Sequence, residues 1–463
     1  MEIEQTTRRS GSPAAVLAFG LARVWDRRPR VQVYLGYALF RVVFLTAALL
    51  LSGAGAVPAD QARSYSFAVA VAGHSFDLIA WEVGALRDKA AALIQQPARE
   101  VDSESATRIV REYLGRAHRI GALERELLWR AGQAAGYTPP RPRPGEPLTL
   151  FNLDTWQLEG QLAVLRRTQA QVRPAVEQVI ERQVTEALLQ AGFGVGGVIW
   201  PPVQFTFTEP PKKLVVSLRN RIATIYSRML VAGLPLDEIE RAEQAIGLQS
   251  NAVAYVTDIG GLGAYPAMVV ERAGLRWVLS TVAHEWVHNY LTFFPLGFNY
   301  FASPELMALN ETVAEIVGNE IGDRIYVEVY GGEIPRPVLE DDAPPPEEDD
   351  DVFDFRREMR ITRLEVDRLL ALGDVAGAEA YMEARRQEFV ANGYSIRVLN
   401  QAYFAFHGSY GTSPASSSPI GPAMVQLRDL SPDLPAFMQT VRGFTSLDDL
   451  VQALTARGVE VDW

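Results

Sequence analysis

The chain has 463 residues, 48% of them hydrophobic, enough to bury a large core spread over about two structural parts. Its net charge is −12, yet nine acids and no base fall between Glu340 and Asp354, which leaves the rest near −3. That remainder offers no basic field for nucleic acid as a partner, and the absence of cysteine excludes disulfide stapling and thiol catalysis.

Residues 1–30 form a basic amino terminus with Arg8, Arg9, Arg23, Arg27, Arg28 and Arg30. Residues 31–57 follow as an apolar segment. From Val42 to Ala59 the chain runs 18 residues without a charge, the minimum for a spanning helix, and the uncharged residues before Arg41 extend it. The arginine excess orients the amino end inside. The expectation is a single-pass anchor in a bacterial cell membrane, with everything after about residue 58 outside the cytoplasm. Ala54-Gly55-Ala56 leaves a cleaved signal peptide as the alternative.

Residues 58–200 read as a helical region. In residues 105–133 and 155–191 apolar side chains recur at helical spacing, with Ile109, Tyr113, Ile120 and Leu123 on one stripe. The proline-rich residues 139–144 separate the two as a stiff loop, and residues 188–203 read as a connector ending in Pro201-Pro202. From residue 201 to 463 the pattern changes. Residues 203–208 and 214–218 alternate or run β-branched like strands, 235–246 form a short helix, and 252–256 and 265–270 supply two more strands. Gly260, Gly261 and Gly263 between them mark either a close backbone approach or a plain turn.

The next stretch carries the chemistry. His284-Glu285-Trp286-Val287-His288 holds two of the chain's five histidines, and Asn310-Glu311-Thr312-Val313-Ala314-Glu315 begins 22 residues after His288. On a helix, His284 and His288 project from one face, so both imidazoles reach one ion. Glu311 is the natural third ligand, and two His plus one Glu leave a catalytic zinc an open fourth position. Glu285, beside the first ligand, is placed as the general base for an activated water. Glu315 and Asn310 are candidates to brace the ligand histidines.

A surface helix with two solvated histidines is the plain alternative. Against it, Leu275, Val278, Leu279, Val282, Trp286 and Leu291 put the motif in a buried helix. Ser303 and Pro304 start a second one, whose stripe includes Leu306, Leu309, Val313, Val317 and Ile321. Buried acids and imidazoles are costly unless paired.

Residues 339–354 read as an acidic disordered loop, followed by a helical hairpin, 355–372 and 375–392, turning at Gly373-Asp374. Tyr403, His407 and Tyr410 in the segment after it are the candidates to donate to a developing oxyanion.

The paired motifs resemble the gluzincin branch of zinc metallopeptidases. Phe293-Phe294-Pro295, Gly318 and the stretch from Arg397 to Tyr403 are similar to a bacterial aminopeptidase-like family. The resemblance covers about residues 200–460. It implies zinc held by His284, His288 and Glu311, with Glu285 as base, in an α+β chain whose zincin-like catalytic domain joins a small mixed sheet to the active-site helices. It also implies peptide or protein substrates. Residues 259–267 depart from the aminopeptidase pattern, because they carry no acid for a substrate amine; Asp258 and Glu271 only flank them. Two other readings stay open: a non-catalytic zinc-stabilised binding or scaffold protein, and a metallohydrolase acting on another amide or ester.

Overall fold

Helical and strand periodicities fall largely where the sequence places them, and the structure is mixed, mostly helical with two small sheets. It is a computed structural model that describes residues 41, 62–95, 102–134, 153–194, 196–249, 251–334 and 353–461. Helices α1 (Ala62–Ala70), α2 (Leu78–Gln95), α3 (Ser103–Ala134) and α4 (Thr155–Gln190) come first. The mixed part follows: β1 (Phe205–Phe207), β2 (Lys212–Leu218), β3 (Tyr226–Leu230), α5 (Leu236–Gln249), β4 (Ala252–Thr257), β5 (Gly261–Leu262) and β6 (Ala267–Val269). Then come α6 (Leu275–Leu291), α7 (Pro295–Phe298), α8 (Pro304–Glu328), α9 (Phe355–Ala371), α10 (Val375–Ala391), α11 (Gln401–His407), α12 (Ile420–Asp429), α13 (Leu434–Val441) and α14 (Leu447–Thr455).

The strands form two three-stranded sheets rather than one. In the first, ordered β1-β6-β5, β1 runs parallel to β6 and the short β5 is an antiparallel edge. The second, ordered β3-β2-β4, is antiparallel throughout, with Lys213 opposite both Met229 and Thr257. Strands β3 and β5 are not marked by alternation, and each exists because a neighbour supplies the pairing. The first sheet packs on α6, and the second packs on α11.

Residues 57–463 form one compact unit. A single core runs from Tyr113 on α3 and Ile180 on α4, through Phe205 and Val269, to Leu279 and Val282 on α6 and Val313 on α8. The helical stretch is thereby packed directly behind the metal-motif helices, each buried aliphatic side chain contributing about 1.5–3 kcal/mol. An ionic clamp adds to it. Lys89 on α2 reaches Glu177 at 2.7 Å and Glu181 at 2.9 Å on α4, and the same two acids accept from the backbone N–H groups of Phe207 and Phe205.

Local capping sets the ends of the functional helices. Ser303 Oγ accepts from Leu306 N at 3.2 Å, with Pro304 in the first turn of α8. The hairpin of α9 and α10 turns through Gly373 at φ 76°, a conformation glycine adopts without steric cost. Asp374 caps α10 from there by accepting from Gly377 N.

The membrane assignment is corrected. Among the described residues no helix is long and apolar enough to cross a membrane, so the single-pass, extracytoplasmic location is withdrawn. The basic residues 1–30 and the apolar 31–57 on which it rested lie outside the described residues, apart from Arg41. The same holds for the acidic loop 339–354, apart from Phe353 and Asp354.

Candidate metal centre

Helices α6 and α8 approach closely because two glycines of α8 face α6. A Cβ at Gly318 would stand 2.8 Å from the Cβ of His284 and 2.8 Å from the backbone oxygen of Ser280. One at Gly322 would stand 2.5 Å from Ser280 N. Without side chains there, the carboxylate of Glu311, two turns up α8, reaches the imidazoles of α6.

His284 Nε2 and His288 Nε2 lie 3.0 Å apart, and Glu311 Oε2 is 3.6 and 3.7 Å from them. Donors around a tetrahedral zinc, each roughly 2.0–2.1 Å from it, stand roughly 3.3 Å from one another. The three observed spacings bracket that value, and among the described residues these three form a group that could hold a metal ion.

Hydrogen bonds at the outer atoms of the group orient the converging ones. His288 Nδ1 pairs with Asn310 Oδ1 at 2.8 Å, while Asn310 Nδ2 donates to Leu296 O at 3.2 Å. With Nδ1–H donating to an amide oxygen, the Nε2 lone pair of His288 points at the site. The Tyr300 hydroxyl donates to Glu311 Oε1. The other oxygen, Oε2, is buried without a hydrogen-bond partner. A buried carboxylate oxygen left unmatched is costly, and a cation seated between it and the two imidazoles removes that cost. The donor set therefore fits a divalent metal ion.

The electrostatics follow from burial and crowding. Burial pulls the His288 imidazole down to about 4, keeping it neutral and able to ligate. Burial opposes charge on His284 as well, but Glu311 and Glu285 outweigh it and raise its pKa. Glu311 is held well below the usual carboxylate range despite burial, because both imidazoles face it. Glu285 is buried, and among the described residues its carboxylate takes no hydrogen bond. Burial lifts it to about 7.

Glycines of β5 and its flanks set the ceiling over that carboxylate. A Cβ at Gly261 would lie 2.2 Å from Glu285 Oε1, and one at Gly263 would lie 3.1 Å from His288 Cβ. The close backbone approach, rather than the plain turn, is thus realised here. Asn289 pins the same segment to α6 by donating to Ala264 O at 3.1 Å.

A cleft of about 810 Å³ opens over the centre, lined by His284, Glu285, His288, Glu311, Tyr300 and Tyr410 among others. The Tyr410 ring stands 6.5 Å from that of His284, and the charge of Glu311 with burial keeps its hydroxyl pKa well above the ordinary value. Glu315 lines the cleft, but its Oε1 accepts from Thr412 Oγ1 at 2.5 Å and no hydrogen bond joins it to a ligand histidine.

His407 and Tyr403 do not reach the centre. Their ring centres lie 4.2 Å apart with the planes tilted by 43°, and the two line a separate pocket of about 490 Å³ with Tyr255 and Arg397. The one-turn step from Tyr403 to His407 keeps both on the side of α11 that faces Tyr255 on β4. As an oxyanion donor His407 is therefore corrected, and Tyr410 alone of the three candidates lines the cleft.

Two residues enter the site without a prior signal. Tyr300 comes from the loop between α7 and α8. Lys213 comes from β2, where burial lowers its pKa and the charges of Glu311 and Glu285 push back. No family model matches the chain, and no curated protein or solved structure matches it.

Proposed function

We propose that the chain is a zinc-dependent metallopeptidase of gluzincin type, with a zincin-like catalytic part, that hydrolyses peptide bonds by attack of water. The reading is carried by one observation. His284, His288 and the unpartnered Oε2 of Glu311 converge at 3.0–3.7 Å beside a buried Glu285 on the floor of a cleft.

The N, N, O donor set and its near-tetrahedral spacing favour zinc among divalent ions. When bound, zinc supplies a Lewis acid for the scissile carbonyl and lowers the pKa of water. His288 is held in the ligating tautomer by Asn310, and Tyr300 fixes Glu311 at Oε1, which leaves Oε2 as the oxygen that would hold the ion. Glu285, lifted to about 7, accepts a proton from the attacking water and returns it to the leaving amine. A carboxylate with a pKa near neutrality suits both halves of that exchange. Tyr410 keeps its proton and donates to the developing oxyanion. The strand β5 is the edge of its sheet, the place where an extended peptide would add.

The test joins metal content to turnover. Purified chain is expected to carry one zinc and to cleave members of a quenched peptide library. A chelator removes the activity and zinc restores it. Glu285→Gln should retain zinc while losing roughly 10²–10⁴-fold in turnover. Full activity in that variant removes Glu285 from the mechanism, and activity indifferent to chelation removes the metal.

A further inference from the structure

The cleft has two unlike walls. One is the acid-bearing side formed by α6 and α8, where Glu285, Glu311 and Glu315 line the cleft. The other is the second sheet, whose cleft-facing side presents Lys213, Ser227 and Met229. Lys213 lies opposite Met229 and Thr257, on one face of that sheet.

Several other buried or half-buried cations among the described residues have acid partners. Lys89 has Glu177 and Glu181, Arg397 has Glu243, and Arg428 has Glu320. On β2 itself, Lys212 is paired with Asp258 at 2.5 Å. Its neighbour Lys213 differs. Among the described residues it has no acid within ion-pair distance, and its ammonium sits 5.5 Å from the centre of the Phe406 ring. A ring face holds an ammonium without neutralising it. Glu285 and Glu311 act on it only through space, with the cleft between.

A half-buried lysine without a counter-ion, lining a cavity large enough for a peptide, calls for an anion from outside. We propose that Lys213 receives a carboxylate of the peptide substrate, so that the cleft selects peptides carrying a carboxylate close to the bond to be cut. This rests on the metallopeptidase reading. It also accounts for the missing acid in residues 259–267: a wall bearing Lys213 repels a substrate amine and attracts a substrate carboxylate. The carboxylate has two sources, a peptide's C-terminus or an acidic side chain.

Two pairs of quenched peptides separate the sources. One pair shares a sequence ending in a free carboxylate or an amide, and the other carries Glu or Gln next to the scissile bond. The zinc-loaded chain is expected to favour the carboxylate member of at least one pair by roughly 10- to 100-fold in kcat/KM, the worth of one charge-assisted hydrogen bond. Lys213→Met should bring that ratio to within about threefold, chiefly through KM. Lys213→Arg should keep part of the preference.

Equal cleavage within both pairs overturns the proposal. So does a Lys213→Met variant that slows neutral and anionic peptides alike. If no peptide is cleaved, the proposed activity falls, and binding decides the carboxylate site separately. The probes are N-acetyl-phenylalanine and its amide, titrated by NMR into chain stripped of metal. Tighter binding of the acid that is lost in Lys213→Met sustains the site, and equal binding of acid and amide overturns it.

Discussion

Gly261→Ala is a direct probe of the base. The added methyl would land 2.2 Å from Glu285 Oε1 and 3.0 Å from Thr281 Cγ2. Relief requires a shift of about 1 Å, and the part that can yield is the far end of the Glu285 side chain. Folding should therefore suffer little, by roughly 1 kcal/mol, at the lower end of what overpacking costs. Catalysis should suffer more, because misplacing a reacting group by about 1 Å can cost on the order of 10²-fold. Zinc content, melting temperature and kcat measured on the same preparation separate these effects. Gly84→Ala serves as the control, since a Cβ there meets nothing within 4 Å. The expected pattern is full zinc, near-normal melting and kcat about 100-fold down. Wild-type kcat in Gly261→Ala would refute the placement of β5 over the base, and loss of zinc would show that the strand holds the ligands rather than Glu285.

Other perturbations read the rest of the site. In Gly322→Ala the new methyl would meet Ser280 N at 2.5 Å and Ser280 Cα at 2.6 Å. Backbone cannot yield there, so denaturation should show a loss of about 3 kcal/mol together with weakened zinc binding; an unchanged midpoint would contradict the close helix crossing. Tyr300→Phe frees Glu311 Oε1 from its donor. Zinc affinity should fall about 10-fold in competition with a chromophoric chelator, and unchanged affinity would remove Tyr300 from the site. His407 tests the second pocket. Burial lowers its pKa from 6.5 to about 4, so between those values the unfolded chain binds more protons than the folded one. Its neutral form is fully compatible with folding above pH 6.5, and stability is lost as pH falls from there toward 4. After allowance for solvent screening of a half-buried ring, the loss is on the order of 1–2 kcal/mol. His407→Phe should flatten that part of the stability profile in urea titrations, and an unaltered slope would show that the ring is solvated.

Much of the site is legible in local chemistry. The four-residue step between His284 and His288 forces a shared helix face. Ser303-Pro304 announces the start of α8 through a cap that depends only on neighbouring residues. The apolar stripes of both helices declare them buried before any partner is known. Asn310 is one residue from Glu311, so its service to His288 follows from the same helix meeting the same partner.

Other contacts depend on where distant segments come to rest. Tyr300 is a loop residue whose hydroxyl finds Glu311 only after the turn at α7 folds back. Tyr410 and His407 are three residues apart in sequence, yet the end of α11 sends one to the cleft and the other to a different pocket. The split into two sheets likewise arises from pairing between strands far apart in sequence, which no period within one strand encodes. Sequence alone determined the candidate ligand types, the helices bearing them and the glutamate beside them, because spacing along a helix is geometry. The tertiary structure decided which oxygen of Glu311 is left unpaired, how near β5 comes to Glu285, and that an unpaired lysine faces them, because side chains from separate elements meet only once the core closes.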